Sequence, residues 1–418
     1  MLTRIEIEYI LQNSDKDIKS LILGARKESS LDIKKLATII DARQKLKDKV
    51  PSWYAIPGLI YPNNLSTEQS SSEATALYKQ QFIENGSKIA DLTGGLGIDS
   101  SFFANKAASV DIFERNTQLT DSYHNNFPLL GLDNIKIHNI EITQELAANL
   151  HSEYDLIYLD PARRDGLGKK VFLLNDCEPN ILGIKELLFQ KTEKILLKLS
   201  PMMDISKLLQ QLEDIYRIDI VAVNNECKEI LAHLKKGGLK DQEELRFHTI
   251  NILSKKDNHN QIFDFAMEDE KSCVPTFFNY KGYSSPADAL YLYEPNKAIL
   301  KAGAFKSLAV RHKLSKLAPH THLYISNKLE DKFPGKIFKV ISINKLNKQT
   351  IKEIQSSYPA ASITARNLPI DSSNLRKKLN LKESDKYHIF GCKSTDSESI
   401  LFITEHFYNS LNKPETQL

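Results

Sequence analysis

The apolar positions of this chain change period more than once. Before residue 51 they follow a 3.6-residue stripe: Ile18, Leu21, Ile22 and Ala25, then Ile33, Leu36, Ala37, Ile40 and Leu46. That spacing predicts helices. Pro51 closes the run, and Pro57 and Pro62 follow. Residues 1–64 are therefore expected to form a helical region, a lid or packing domain rather than an independent binding module. Two overlapping capping boxes, Ser66 with Gln69 and Ser70 with Glu73, predict a helix over 72–84. From residue 87 short apolar runs alternate with amphipathic stretches. Strands are expected at 87–92, 109–113, 135–138, 154–159 and 194–199, with helices at 99–106, 117–130 and 143–149 between the first four. A helix over 205–215 leads to further strands at 219–223 and 247–253. Alternation of this kind implies a mostly parallel, doubly wound α/β sheet that binds its ligands at the strand C-termini.

The polar stretch 254–271 reads as a linker. After it come a small basic region, 272–335, and a compact α/β unit, 336–412. The latter has strands at 337–343, 361–365, 387–391 and 400–404 and helices at 349–357 and 373–379. Domain boundaries are thus expected at 1–64, 65–255, 272–335 and 336–412. Between Asn296 and Lys345 eleven Lys or Arg face two acids, Glu330 and Asp331, with His312, His320 and His322 beside them. Such a density points to a phosphate-rich partner or to a solvated basic face.

The remaining composition excludes more than it selects. The four cysteines, Cys177, Cys227, Cys273 and Cys392, form no CxxC pair, which argues against a structural zinc site and a disulfide framework. No metal is expected. No apolar run approaches the roughly 20 residues of a membrane span, and residues 1–13 lack a signal-peptide core, so a cytoplasmic protein is expected.

Two strand tips carry the candidate chemistry. The first strand runs into Asp91-Leu92-Thr93-Gly94-Gly95-Leu96-Gly97, a glycine turn where backbone can approach a ligand closely. An acid at Asp91 suits a cofactor with a cationic amino group and no pyrophosphate. Glu114 ends the next strand, about 20 residues on, where an acid meets ribose hydroxyls. Asn139-Ile140-Glu141 follows the third strand. The fourth ends in Asp160-Pro161-Ala162-Arg163, in which an acid and a carbonyl fixed by proline can orient an N–H acceptor. Arg163, Arg164 and Asp165 could hold substrate phosphates or pair with one another, and Lys198 could be a pocket contact or a sheet-edge charge. The fifth strand ends in Leu199-Ser200-Pro201, without a cysteine nucleophile, and Cys177 reads as structural.

The glycine turn, with Thr93 where the motif has its first glycine, resembles the cofactor motif of class I S-adenosylmethionine-dependent methyltransferases. Asp160-Pro161-Ala162-Arg163 is similar to the Asp-Pro-Pro-(Tyr, Phe or Arg) motif of enzymes that methylate bases, with Ala162 replacing the second proline. Together with Tyr293-Glu294-Pro295-Asn296 and the C-terminal unit, the chain from about residue 65 resembles bacterial methyltransferases with a ferredoxin-like insert and a THUMP-like domain. The resemblance implies a Rossmann-like seven-stranded sheet and S-adenosyl-L-methionine held by Asp91, Thr93, Gly94, Gly95, Gly97, Glu114 and Glu141. It also implies a base nitrogen of RNA, tRNA or rRNA, oriented by Asp160 and Pro161 with Arg163 nearby. A small-molecule methyltransferase and a non-catalytic RNA-binding protein remain as alternatives.

Overall fold

The computed structural model describes the chain except residues 1, 25–30, 63, 151–152, 164–173, 241–243, 254–258, 283–288 and 408–418. Ala25, Arg164 and Asp165 therefore lie outside the described residues. Two compact units are present: Met1–Ile218 with Lys228–Glu243, and Asp219–Cys227 with Glu244–Leu418.

The first unit opens with helices α1 (Arg4–Gln12), α2 (Ile18–Leu23), α3 (Ile33–Leu46) and α4 (Pro51–Tyr54). Side-chain oxygens of Thr3, Asp17 and Asp32 cap the first three by accepting backbone N–H bonds. The stripe on α3 is buried at Leu36, Ala37, Ile40 and Leu46, whereas on α2 Leu21 is buried and Ile22 is exposed. Arg43, buried on α3, donates to the carbonyls of Tyr54 and Ile56 and so locks α4 onto it. These helices share one apolar core with Leu96, Ile98, Phe102, Tyr123 and Phe127, which belong to the glycine turn and its flanking helices.

Next come α5 (Asn64–Gln69) and α6 (Glu73–Gln80), two helices where one was expected. Ser66 and Gln69 lie within α5, and Ser70 donates to the Thr67 carbonyl. The capping box that forms joins Ser72 to Thr75 instead. Thr75 Oγ1 accepts from the Ser72 N–H, while the Ser70 N–H that Glu73 was expected to reach donates to the Ser66 carbonyl and Glu73 accepts from the Ser52 N–H.

Strands β1 (Lys88–Asp91), β2 (Ser109–Phe113), β3 (Ile135–His138) and β4 (Leu156–Leu159) are joined by α7 (Ile98–Ala104), α8 (Thr117–Leu129) and α9 (Gln144–Ala148). A short antiparallel pair follows, β5 (Ala162–Arg163) with β6 (Cys177–Glu178), then α10 (Ile181–Leu188), β7 (Lys194–Leu199), α11 (Ile205–Gln211), β8 (Ile215–Val223) and β9 (Glu226–Lys235). The sheet runs β8-β9-β7-β4-β1-β2-β3. Neighbours from β7 to β3 are parallel, while β9 is antiparallel to β7, with Leu199 opposite Ile230 and Lys194 opposite Lys235. This is a Rossmann-like sheet whose order reverses between β1 and β4, so that a crevice opens at the tips of both; it is nine strands wide where seven were expected, two further strands continuing it beyond β8. Strand β9 has no counterpart among the expected strands. Its Ile230, Leu231 and Leu234 also fit a helical spacing, and a place deep in the sheet decides the outcome.

In the second unit, β10 (Arg246–Ile252) pairs antiparallel with β11 (Gln261–Ala266), and α12 (Met267–Ser272) follows. The reading of 254–271 as a linker is therefore corrected. Phe263 and Phe265 alternate with polar residues and are buried, so residues 261–271 form a strand and a helix. Beyond it are β12 (Tyr291–Pro295), α13 (Lys297–Ala302), α14 (Lys306–Arg311), β13 (Ser315–Lys316), β14 (Tyr324–Ser326), β15 (Gly335–Lys345), α15 (Lys348–Ser357), β16 (Ser362–Arg366), α16 (Ser372–Leu379), β17 (Tyr387–Lys393) and β18 (Ser399–His406). They form a second sheet, β13-β14-β12-β15-β18-β17-β16. Ile354 of α15 and Leu375 and Leu379 of α16 pack on Ile389 and Ile403, as their helical spacing predicts.

Candidate functional site

The crevice at the tips of β1, β2 and β4 is a cavity of about 590 Å3, within the range of small-molecule sites. Asp91, Thr93, Gly94, Gly95, Glu114, Glu141 and Asp160 all line it, together with the apolar Leu96, Phe113, Leu119, Ile140 and Ile142. Gly97 caps α7 from the turn below. The structure thus brings the two strand-tip motifs to one cavity.

The turn is packed closely on the side chains beneath it. Gly94 donates its N–H to the Phe113 carbonyl, and a Cβ there would stand 2.7 Å from both Ile112 and the Tyr123 hydroxyl. Gly97 has φ +82°, a left-handed conformation that disfavours a side chain. Gly94→Ala is expected to destabilise the protein by about 1–3 kcal/mol through overpacking. Urea unfolding, read as a lowered midpoint with an unchanged m-value, checks this.

Two carboxylates flank the turn in different environments. Asp91 is 1% exposed and accepts from the Thr93 N–H at 3.0 Å and the Ser100 hydroxyl at 2.6 Å. Burial outweighs these bonds and raises its pKa to about 7. Glu114 lies at the cavity wall, where its two oxygens accept from Gly95 N–H and Asn116 N–H, both at 2.8 Å. Tyr123 donates to the Gly95 carbonyl at 2.5 Å and braces the turn from behind.

Glu141 is placed otherwise. It is exposed and pairs with Arg115 at 3.0 Å, and the same guanidinium reaches Glu178 at 3.2 Å. Its neighbours Ile140 and Ile142 supply apolar lining, and Ile140 is exposed.

At the other tip, the Asp160 N–H donates to the Thr93 hydroxyl at 2.6 Å, so the residue in place of the motif's first glycine ties the two tips together. The Asp160 carboxylate pairs with Lys198 of β7. Lys198 is thus a contact of the site rather than a solvating charge. Its burial favours the neutral amine, but Asp160, Asp99 and Glu229 outweigh that and raise its pKa. Pro161 follows at the tip, and the Arg163 backbone pairs with Cys177 in β5. The Arg163 side chain lies outside the described residues.

Behind the tips lies a charged cluster that sequence reasoning missed. Lys79 on α6 is fully buried, with its ammonium 2.7 and 2.8 Å from the Glu229 oxygens on β9 and 3.3 Å from Asp99 on α7. Ser71 and Tyr158 donate to the Asp99 carboxylate at 2.7 and 2.8 Å. Burial favours protonated Asp99, but Lys79 and Lys198 prevail and lower its pKa, whereas for Glu229 burial prevails and raises it. Of the charged residues that line the cavity itself, Asp91, Asp99, Glu114, Glu141, Asp160 and Glu178 are acids and Arg115 is basic, a surplus of carboxylates that favours a cationic ligand. The one local signal was an acid in the first turn of a helix that is otherwise uncharged, Ile98-Asp99-Ser100-Ser101-Phe102-Phe103.

Among the described residues, no group of His, Cys, Asp or Glu could hold a metal ion, and no helix is long and apolar enough to cross a membrane.

Residues 291–334 match a ferredoxin-like domain model and residues 335–406 a THUMP domain-like model. No curated protein matches the chain. A candidate methyltransferase from Porphyromonas gingivalis W83, known from its crystal structure, is 31% identical over 97% of this chain and 98% of its own, with a TM-score of 0.83. An rRNA methylase from Streptococcus thermophilus aligns at 15% identity with 39% of this chain and 93% of its own, at a TM-score of 0.29. A candidate methyltransferase from Streptococcus mutans, solved in complex with SAH, aligns at 12% identity over 39% and 96%, at a TM-score of 0.29.

Proposed function

The chain belongs to the methyltransferase family that carries C-terminal ferredoxin-like and THUMP-like domains, and on that premise we propose that it transfers a methyl group from S-adenosyl-L-methionine to a base nitrogen of RNA, tRNA or rRNA. The observation that carries the reading is the hydrogen bond from Asp160 N–H to Thr93 Oγ1. It sets the acceptor motif against the glycine turn at one cavity.

The residues present fit the cofactor. At Gly95, which lines the cavity, a Cβ would meet only the Thr93 carbonyl, at 3.8 Å, so the backbone there is open to a ligand, and apolar Phe113, Ile140 and Ile142 offer a slot for a flat ring. Glu114 stands where ribose hydroxyls would be bonded, and Asp91 with the surplus of carboxylates favours a ligand bearing ammonium and sulfonium charge. Glu141, already paired with Arg115, has the weaker claim. When bound, the cofactor supplies an electrophilic methyl group. The protein's part is then orientation. Lys198 holds one Asp160 oxygen and leaves Oδ1 to accept the N–H of an incoming base. Pro161 has no N–H and a fixed φ, which restricts where its own carbonyl, the second acceptor, can point. Alignment of a nitrogen lone pair along the donor axis accounts for much of the rate in such a displacement.

The RNA assignment is supported by the THUMP domain-like match and by the basic stretch after Asn296. A base buried in folded RNA has to be splayed into the cavity, and binding has to weaken with salt. These features also favour RNA over a small-molecule acceptor.

Titration with the cofactor tests Asp91. Its carboxyl is neutral below about pH 7 and charged above it. Affinity for the cationic cofactor is expected to rise with pH, by at most about tenfold per unit below 7, and to level off above. In Asp91→Asn the rise is expected to vanish. Calorimetric titrations between pH 5.5 and 8.5 check both curves, and a wild-type curve that is flat or falls would remove Asp91 from the cofactor site.

A further inference from the structure

The second unit contains a separate cavity of about 340 Å3 that the methyl-transfer reading does not use. Its wall is aromatic. Phe305 and His322 stack with ring centroids 3.6 Å apart and planes 20° from parallel, and Phe277 stands 44% exposed at the same cavity. The backbone beside Phe277 is fixed: Thr276 C=O accepts from Lys316 N–H and Phe278 N–H donates to Lys316 C=O, each at 2.9 Å. The ring is therefore presented on a strand-like edge.

Two lysines line the same cavity. Lys306 donates to the Lys271 carbonyl at 2.7 Å and Lys316 to the Pro319 carbonyl at 3.0 Å, and each ammonium has two further hydrogens to offer. One acid, Glu270, also lines it. Its carboxylate is engaged by the N–H groups of Phe305, Lys306 and Ser307 and by the Ser307 hydroxyl. The two lysines outnumber this one acid, whose charge still acts on Lys316, so one positive charge is left over to attract an anion.

His322 carries the most specific sign. It sits at φ +52°, a strained backbone for a residue with a side chain, and such strain collects at ligand sites. Its Nδ1 is buried and has no hydrogen-bond partner. Burial, Lys316, His320 and Arg366 lower its pKa to about 4, so the ring is neutral at physiological pH and stacks as a flat heterocycle. A flat wall, two ammonium groups and an unsatisfied ring nitrogen match one chemistry, a planar heterocycle joined to a phosphate.

We propose that this cavity is a single-nucleotide subsite that holds an unpaired base of an RNA strand against Phe277, Phe305 and His322, with the adjoining phosphate at Lys306 and Lys316. Stacking on an aromatic ring favours unpaired over duplexed bases, because only an unpaired base can present its face. The subsite gives the basic stretch a defined contact, with His320 at its mouth, in place of diffuse attraction.

Crosslinking tests this in the full chain. A short single-stranded RNA with scattered 4-thiouridine is irradiated with the protein, and the crosslinked peptides are mapped by mass spectrometry. Crosslinks are expected in the peptides that contain Phe277, Phe305 or His322, and not with the same strand in a duplex. Phe277→Ala, a change at an exposed position, is expected to weaken single-strand binding at least tenfold in fluorescence anisotropy at fixed salt. Lys306→Gln is expected to lower the slope of log affinity against log salt by about one. Unchanged affinity in Phe277→Ala, or crosslinks confined to other peptides, would overturn the proposal. So would full competition by free nucleoside 5′-monophosphates, which would reassign the cavity to free nucleotides. No cofactor is present in these experiments, so they read RNA contact at this cavity without methyl transfer. Failure here is thereby separated from failure of the methyl-transfer reading.

Discussion

Lys79→Met is expected to destabilise the protein by about 3–5 kcal/mol, more than any other single substitution considered for this chain, because it leaves buried carboxylates without their counter-charge. Lys79 is fully buried and touches both Glu229 oxygens, Asp99 and the Ser71 hydroxyl. A methionine fills the same volume but returns none of that charge. The loss is also expected to depend on pH. In the variant, Glu229 keeps the burial that already raises its pKa and loses the ammonium that lowers it. The folded state then binds a proton more tightly than the unfolded state does, so stability falls as pH rises above the ordinary glutamate range. Chemical denaturation at pH 5 and pH 8 should show the larger deficit at pH 8. Lys79→Met combined with Glu229→Gln is expected to recover part of the loss, since the charge left behind is removed as well. An additive double variant would show that Lys79 and Glu229 do not act as a pair.

The second large effect concerns the acceptor tip. Asp160→Ala is expected to lower kcat/KM for methyl transfer by about 10²–10³-fold, the loss typical of one preorganised polar group at a reacting centre. Cofactor affinity is expected to stay within about tenfold, because the role proposed for Asp160 is toward the acceptor and not toward the methionine or adenosine ends. The measurement is single-turnover transfer alongside cofactor calorimetry. Loss of both together would assign Asp160 to cofactor binding or folding. Loss of neither would remove it from the reaction.

These two sites differ in how far they could be read in advance. The turn at Asp91–Gly97 and the tip at Asp160–Pro161 follow strands whose apolar runs are short, local and bounded by glycine or proline, so their place at the C-terminal ends of sheet strands follows from chain order. Glu114 came the same way, from its distance along the βαβ unit. Lys79 could not be read so. It lies on an amphipathic helix where a lysine ordinarily points to water, and its partner Glu229 is 150 residues away on a strand that sequence pattern alone does not separate from a helix. Lys198 was visible as a residue but not as the partner of Asp160, because that pairing exists only once β7 lies beside β4. In the second unit, Phe263 and Phe265 were hidden behind a polar stretch long enough to pass for a linker. Local periodicity was sufficient where an element is short and punctuated, and it failed where burial of charge or an inserted strand decides the structure.

The central claim is that Asp160 and Pro161 present an RNA base nitrogen to a methyl donor held by the glycine turn. The direct measurement is mass spectrometry of nucleosides from tRNA and rRNA after incubation with the purified protein and S-adenosyl-L-methionine labelled in its methyl group. The RNA is taken from cells lacking the protein. The account predicts one labelled nucleoside methylated on a base nitrogen, formed by the unaltered protein and not by Asp160→Ala. Label on a ribose oxygen or a ring carbon, or transfer unaffected in Asp160→Ala, would contradict it.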